Sequence, residues 1–204
     1  MPRRTYSIER LNALTDGVFA IVLTLLVIDL GLPEPPRPGE EILSELGDNV
    51  PDFLGWLISF VVIARIWVVH HSVTANMKRC HSGTLMLNFV LLGAISLTPF
   101  TSSLIGTYEF HVPWSTAIFT AQLGLVFFAM GLLAHHVQHD PQVRADDAED
   151  LEWHWRHHAL IVPVLAAIGV GLSFVNPHVV IAVWAGELAL VIGIAVSRRR
   201  ARIA

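Results

Sequence analysis

Charged side chains are scarce in this chain of 204 residues: 15% are Asp, Glu, Lys or Arg, against 53% hydrophobic. Soluble domains carry about a quarter charged residues. At a mean hydropathy of +0.58, so short a chain has no water-soluble core large enough to hide its apolar surface. That excludes an ordinary soluble domain and makes the bilayer the natural solvent. Cysteine is nearly absent too. Cys80 stands alone, which excludes an internal disulfide and any thiolate metal site. No cleavable leader is expected, since the first apolar stretch is longer than a signal core and no small-residue cleavage site follows it. The formal net charge of −4 says little, because the charges are clustered.

What the chain does have is long apolar runs. A spanning helix needs about 20 mostly apolar residues. Six stretches qualify, at 9–31, 51–73, 83–106, 113–136, 158–175 and 178–197. Asn176, Pro177 and His178 make a tight turn between the last two. Pro99, Thr98 and Pro163 fall inside spans, where neighbouring helices satisfy the freed backbone groups. Basic residues alternate between loops. Arg3 and Arg4, Lys78 and Arg79, Arg144 and Arg156, and Arg198, Arg199, Arg200 and Arg202 occupy one set. The other set is acidic at 32–50 and free of Lys and Arg at 107–112. The positive-inside rule then places both termini in the cytoplasm, the parity that six spans require. The loop holding Pro33, Glu34, Pro35, Pro36, Pro38, Glu40 and Glu41 reads as a short external linker. Residues 139–157 read as an internal loop with helical character. No repeat divides the chain, so 1–204 is expected to be one all-α, multi-pass membrane domain of the cell membrane, with no nucleic-acid partner.

The first span holds the most unusual residues, Arg10 and then Thr15-Asp16-Gly17. An aspartate inside a spanning helix costs about 2.5–3.5 kcal/mol on insertion scales, so it needs a partner. If Asp16 lay merely at the cytoplasmic end, it would cap the helix or meet water. The topology offers more. His70 and His71 end the second span on the same side, and Asn88 begins the third. Asp16, His71 and Asn88 therefore stand at similar depth, and a network among them would lock three helices together. Trp67, four residues before His71, shares its face. Beyond Asp16, the residues Ile21, Leu25 and Ile28 form an apolar stripe with Thr24 beside it. Such a stripe is ordinary helix packing or lipid contact unless this helix lines a symmetric pore. Arg65 and Glu187 are two further charges within spans, fit to pair or to face a water-filled cavity.

The run Arg10 to Asp16, continuing as Gly17-Val18-Phe19-Ala20-Ile21 and Leu25-Leu26, resembles the signature of the transmembrane-protein-175 potassium channels. That signature is an Arg, a short spacer, then Phe-Ser-Asp. Here the core reads Leu14-Thr15-Asp16, which keeps the hydroxyl and loses the aromatic ring. Trp67 with His70-His71, and Leu87-Asn88 followed by Leu97-Thr98-Pro99-Phe100, are similar to the family's second and third helices. The resemblance covers residues 8–105 well and the rest only by hydropathy. It implies a six-helix unit that assembles as a homotetramer, with the first helix from each copy lining a potassium-permeable pore. No Thr-Val-Gly-Tyr-Gly filter run occurs. Carried over by position, the constriction would be Ile21, Leu25 and Ile28, with Thr24 a nearby polar contributor. Arg10, Thr15, Asp16, Trp67, His71 and Asn88 would hold that helix at its angle. The expected permeant is the potassium ion, with no cofactor and no metal.

Two other functions compete. The 11 histidines include His70-His71, His135-His136 with His139, and His154 with His157-His158. The last has the H-x-x-H-H spacing of membrane di-iron desaturases and hydroxylases, whose histidines bind iron and activate oxygen. The chain is short for that class, and its clusters lie where interfacial loops carry solvated histidine anyway. A proton-coupled carrier would use Asp16, Arg65 and Glu187. It would be expected to show an inverted repeat and broken helices, and no such repeat is visible.

Overall fold

The computed structural model describes residues 5–28, 30, 50–108, 112–180, 183, 184 and 186. Five of its helices are long and apolar enough to cross a membrane. Strand β1 (Thr5–Tyr6) precedes α1 (Ile8–Ile28), and α2 (Val50–Ala75) leads to β2 (Cys80–His81). Helices α3 (Ser82–Ser96) and α4 (Thr98–Tyr108) form one broken span, and α5 (Pro113–His139) is the next. Helix α6 (Glu152–Arg156), a π-helical turn (His157–Ile161) and α7 (Val162–Ser173) together make the fifth. The expected sixth span at 178–197 lies largely outside the described residues, as do Arg3, Arg4, the Pro-rich linker, Glu187 and the basic C-terminal residues. Its entry is visible: Asn176 Oδ1 accepts the His178 N–H at 3.1 Å, and a helical stretch starts at 177.

In hydrocarbon, apolar side chains gain nothing by leaving lipid for each other. Helix association rests instead on close packing and interhelical hydrogen bonds. Helix α5 is the scaffold, with 72% of its most apolar stretch buried, whereas α1 is the most peripheral of the five described spans at 28%. Small residues let α5 approach the fifth span closely. A Cβ at Gly124 would stand 2.6 Å from Ala166 Cβ, and one at Gly131 would strike the Ala159 backbone within the π-helical turn.

The third span breaks because Pro99 has no N–H to give the carbonyl four residues back. The chain tightens there, Leu97 N donating to Ala94 O at 3.2 Å. Gln122 of α5 braces the chain on both sides of the break: its Nε2 donates to Ala94 O at 2.8 Å and to Thr98 Oγ1 at 3.0 Å, and its Oε1 accepts from Thr101 at 3.3 Å. Polar contacts from a neighbouring helix of this kind let a membrane span carry a break.

The fifth span begins six residues earlier than the hydropathy suggests. Its first turn is charged, and Arg156 pairs with Glu152 at 2.6 Å across one turn while Trp155 Nε1 donates to the same carboxylate. Residues 140–150 are turns and extended chain rather than helix. They are tied to the α2–β2 connection by Lys78 N→Val143 O and Ala145 N→Asn76 O, both 2.8 Å, and by Glu149 N→Asn76 Oδ1. The all-α expectation also needs one amendment. β1 pairs antiparallel with β2, Thr5 against His81 and Tyr6 against Cys80, because both extended pairs bring unpaired backbone groups together at this end of the bundle. Lys78 Nζ reaches Asp146 Oδ1 at 2.6 Å. That hydrogen bond, and then the Lys78 charge, hold the Asp146 carboxyl below the usual range. A depressed folded-state value stabilises above the ordinary Asp pKa of about 3.9 and is lost as pH falls through the depressed one. On so exposed a group the effect is small and salt-screened.

Gly131→Ala should lower the melting temperature in detergent, because its Cβ meets backbone and overpacking costs about 1–3 kcal/mol. Gly171→Ala, where nothing lies within 4 Å of a Cβ, should leave it unchanged or raise it. Equal effects at both positions would contradict the close seam.

Candidate functional site

Helix α1 has two characters around its circumference. Leu11, Thr15, Phe19, Val22 and Leu26 are buried against the other spans. Ile21, Leu25 and Ile28 are 59%, 42% and 70% exposed. At 100° per residue these rows lie about 120° apart. The Thr24 hydroxyl donates back to Ala20 O and Ile21 O at 3.1 and 2.8 Å. It is satisfied on its own helix, so the stripe around it stays apolar.

Two separate polar contacts hold this rotation. In the first, Trp67 Nε1 donates to Asp16 Oδ1 at 2.8 Å. His71 stacks on the Trp67 ring, centroids 6.0 Å apart. In the second, Asn88 Nδ2 donates to Thr15 Oγ1 at 2.9 Å, and Asn88 Oδ1 accepts from His70 Nε2 at 2.8 Å. A carbonyl oxygen only accepts, so His70 carries its proton on Nε2. Thr15 and Asn88 are both 0% exposed.

The expected Asp16–His71–Asn88 triangle is therefore corrected. His70, not His71, meets Asn88, because adjacent helical residues point about 100° apart and only one of the pair can face inward. His70 falls in the buried row Ile63, Ile66, Val73, whereas His71 is exposed on the face of Trp67. That row was the available signal. Arg10 also stands outside the pair of contacts. It is exposed, about 120° round α1 from Asp16 and in line with Ile21 and Ile28.

The clustered histidines disperse to different partners. His136 Nε2 shares a hydrogen with Thr84 Oγ1 at 3.1 Å. His158 Nδ1 donates to His154 O at 2.7 Å, and its ring stacks on Phe127. His135 stacks on His139. Two pairs, His135 with His139 and His154 with His158, stand at H-x-x-x-H spacing. Among the described residues, no three His, Cys, Asp or Glu side chains are grouped to hold a metal ion. The Arg65 guanidinium lies 5.5 Å from the Phe127 ring centroid, and Trp184 stacks on the same ring, centroids 6.0 Å apart. The suggested partner Glu187 lies outside the described residues.

Asn88→Ala would strand the His70 and Thr15 groups in the membrane interior. A cost of about 1–3 kcal/mol is expected, seen as a lower melting temperature in detergent. His71→Ala removes only a stacked, exposed ring and should cost less. A larger loss for His71→Ala than for Asn88→Ala would contradict this wiring.

Residues 10–99 match the family described as "Endosomal/lysosomal potassium channel TMEM175". A potassium channel of Streptomyces collinus is 31% identical over 193 residues, covering 90% of each chain. The endosomal/lysosomal proton channel TMEM175 of Gallus gallus is 35% identical over 130 residues, 59% of this chain and 26% of that one. The crystal structure of a lysosomal potassium-selective channel TMEM175 homolog from Chamaesiphon minutus superposes with a TM-score of 0.77 at 24% identity. That match covers 93% of this chain and 97% of the other, and establishes the shared fold. With its signature helices anchored in this way, the chain is a multi-pass membrane protein that belongs to the TMEM175 channel family.

Proposed function

We propose that the chain is a potassium-permeable cation channel in which α1 from each of four copies lines a central pore. The observation that carries this is the outward row Ile21, Leu25, Ile28 on the least buried of the five described spans, which no part of the described chain covers. The Thr24 hydroxyl beside it is satisfied on its own helix, so the row is free to face either lipid or its own copies. The relative from Streptomyces collinus, named a potassium channel and alike over nearly its whole length, favours the second.

Four isoleucines at one level make a narrow neck with few oxygens, able to close by dewetting. Ile21 forms the narrowest ring, with Leu25 and Ile28 toward the outside and Thr24 a flanking hydroxyl. An ion must shed part of its water to cross. Potassium holds its water less tightly than sodium, so the neck favours potassium, and only modestly, because methyl groups cannot replace lost oxygens. Arg10, in line with the row, stands at the cytoplasmic mouth. Six spans with both termini in the cytoplasm of a cell-membrane protein complete the arrangement. The gathering of Lys78, Arg144 and Arg156 at one end of the bundle supports this orientation.

Relatives named proton channels make the permeant itself a point of test. An apolar neck offers no chain of titratable groups for proton relay, which favours the metal cation.

Mass measurement in mild detergent should find four chains. A monomer or dimer that still conducts would overturn the shared pore. In planar bilayers, Ile21→Asn should raise unitary conductance and reduce the preference for potassium over sodium. Current and selectivity unchanged in that variant would remove Ile21 from the neck.

A further inference from the structure

At the basic end of the bundle, His135 and His139 occupy one face of the last turn of α5. Their rings lie 4.2 Å apart, 26° from parallel. His139 Nδ1 donates to His135 O at 2.9 Å. A carbonyl only accepts, so the proton sits on Nδ1 and the lone pair of His139 is left on Nε2. This is the second-shell arrangement by which a backbone carbonyl fixes a histidine as a metal ligand. Trp155 walls the pair from one side, edge-on to His135 at 4.9 Å and to His139 at 5.8 Å. It is held there by its own hydrogen bond to Glu152 at 2.6 Å. On the open side, both rings line a concavity with Asp140, Pro141 and Gln142. Both rings are exposed, so an ion reaches them without any opening of the fold.

We propose that His135 and His139 form a labile, two-histidine site for a borderline divalent transition metal such as zinc, nickel or copper. Two imidazoles four residues apart on a helix converge on one ion once the exposed rings turn out of their stack, and imidazole suits these metals over calcium or magnesium. Only two protein ligands are present, so the remaining positions belong to water. The site is thus neither a closed structural centre nor a di-iron one. A bound ion ties the last turn of α5 and so stiffens the junction with the turns at 140–150. The site is independent of the channel reading and stands if that reading fails.

The test is calorimetric titration of full-length protein in detergent, with the affinity tag removed, using nickel and zinc chlorides as separate probes. One ion per chain should bind in the micromolar range and raise the melting temperature. His135→Ala and His139→Ala should each weaken binding by at least about tenfold, while His178→Ala, on a different turn, should not. His139→Asn keeps an amide able to reach His135 O. It serves if the alanine variant fails to fold, and it too should lose affinity. No saturable heat with the wild-type protein, or unchanged affinity when both histidines are replaced, would overturn the site.

Discussion

The carboxamide of Asn88 is the constraint on which the rest depends. It sits on α3, donates to Thr15 on α1 and accepts from His70 on α2. Nothing in the bilayer interior competes for these bonds, and nothing hydrophobic drives the three helices together. Once Thr15 is pinned inward, the helical period decides everything else on α1. Phe19, Val22 and Leu26 follow it into the protein. Asp16 comes round to the indole of Trp67, and Ile21, Leu25 and Ile28 turn out. A rotation of one residue would break both polar contacts and alter the face that α1 presents. The same few bonds that satisfy buried polar groups thereby orient the stripe proposed to form the neck.

The remainder of the bundle holds that arrangement still. Helix α5 is the most buried of the five described spans, closest where Gly124 and Gly131 admit the fifth span. Gln122 seals the Pro99 break from the same helix. At the basic end, a two-residue ribbon fastens the entry of α1 to the start of α3, and Asn76 fastens the turns before α6. Helix α1 is thus tied at its end and at mid-depth while one long face stays clear of the described chain.

Much of this was legible in the sequence because the signal was long. The first four spans begin within one residue of where the apolar runs place them. The Asp16, Trp67 and Asn88 positions were visible as polar residues where lipid tolerates few. What was missed depended on phase or on single residues. His70 and His71 are chemically identical, and only the row Ile63, Ile66, Val73 separates them. The charged first turn of the fifth span reads as loop, because hydropathy does not register the Glu152–Arg156 pair. The ribbon is too short to leave a pattern. Gln122 is one polar residue in an apolar run, and its role appears only when Ala94 O and Thr98 Oγ1, on either side of the break, are placed beside it.

The central claim is that the exposed row of α1 lines the ion path, and a thiol placed in that row tests it most directly. The native Cys80 is buried, and burial pushes its thiol pKa up, so it reacts poorly; Cys80→Ser gives a silent background. In that background, Ile21→Cys protein reconstituted in liposomes should carry potassium in preference to sodium until a water-soluble thiol reagent is added, and then stop. Met86→Cys, equally exposed on α3, should be unaffected. Block at Met86→Cys with undiminished flux through modified Ile21→Cys would contradict the account.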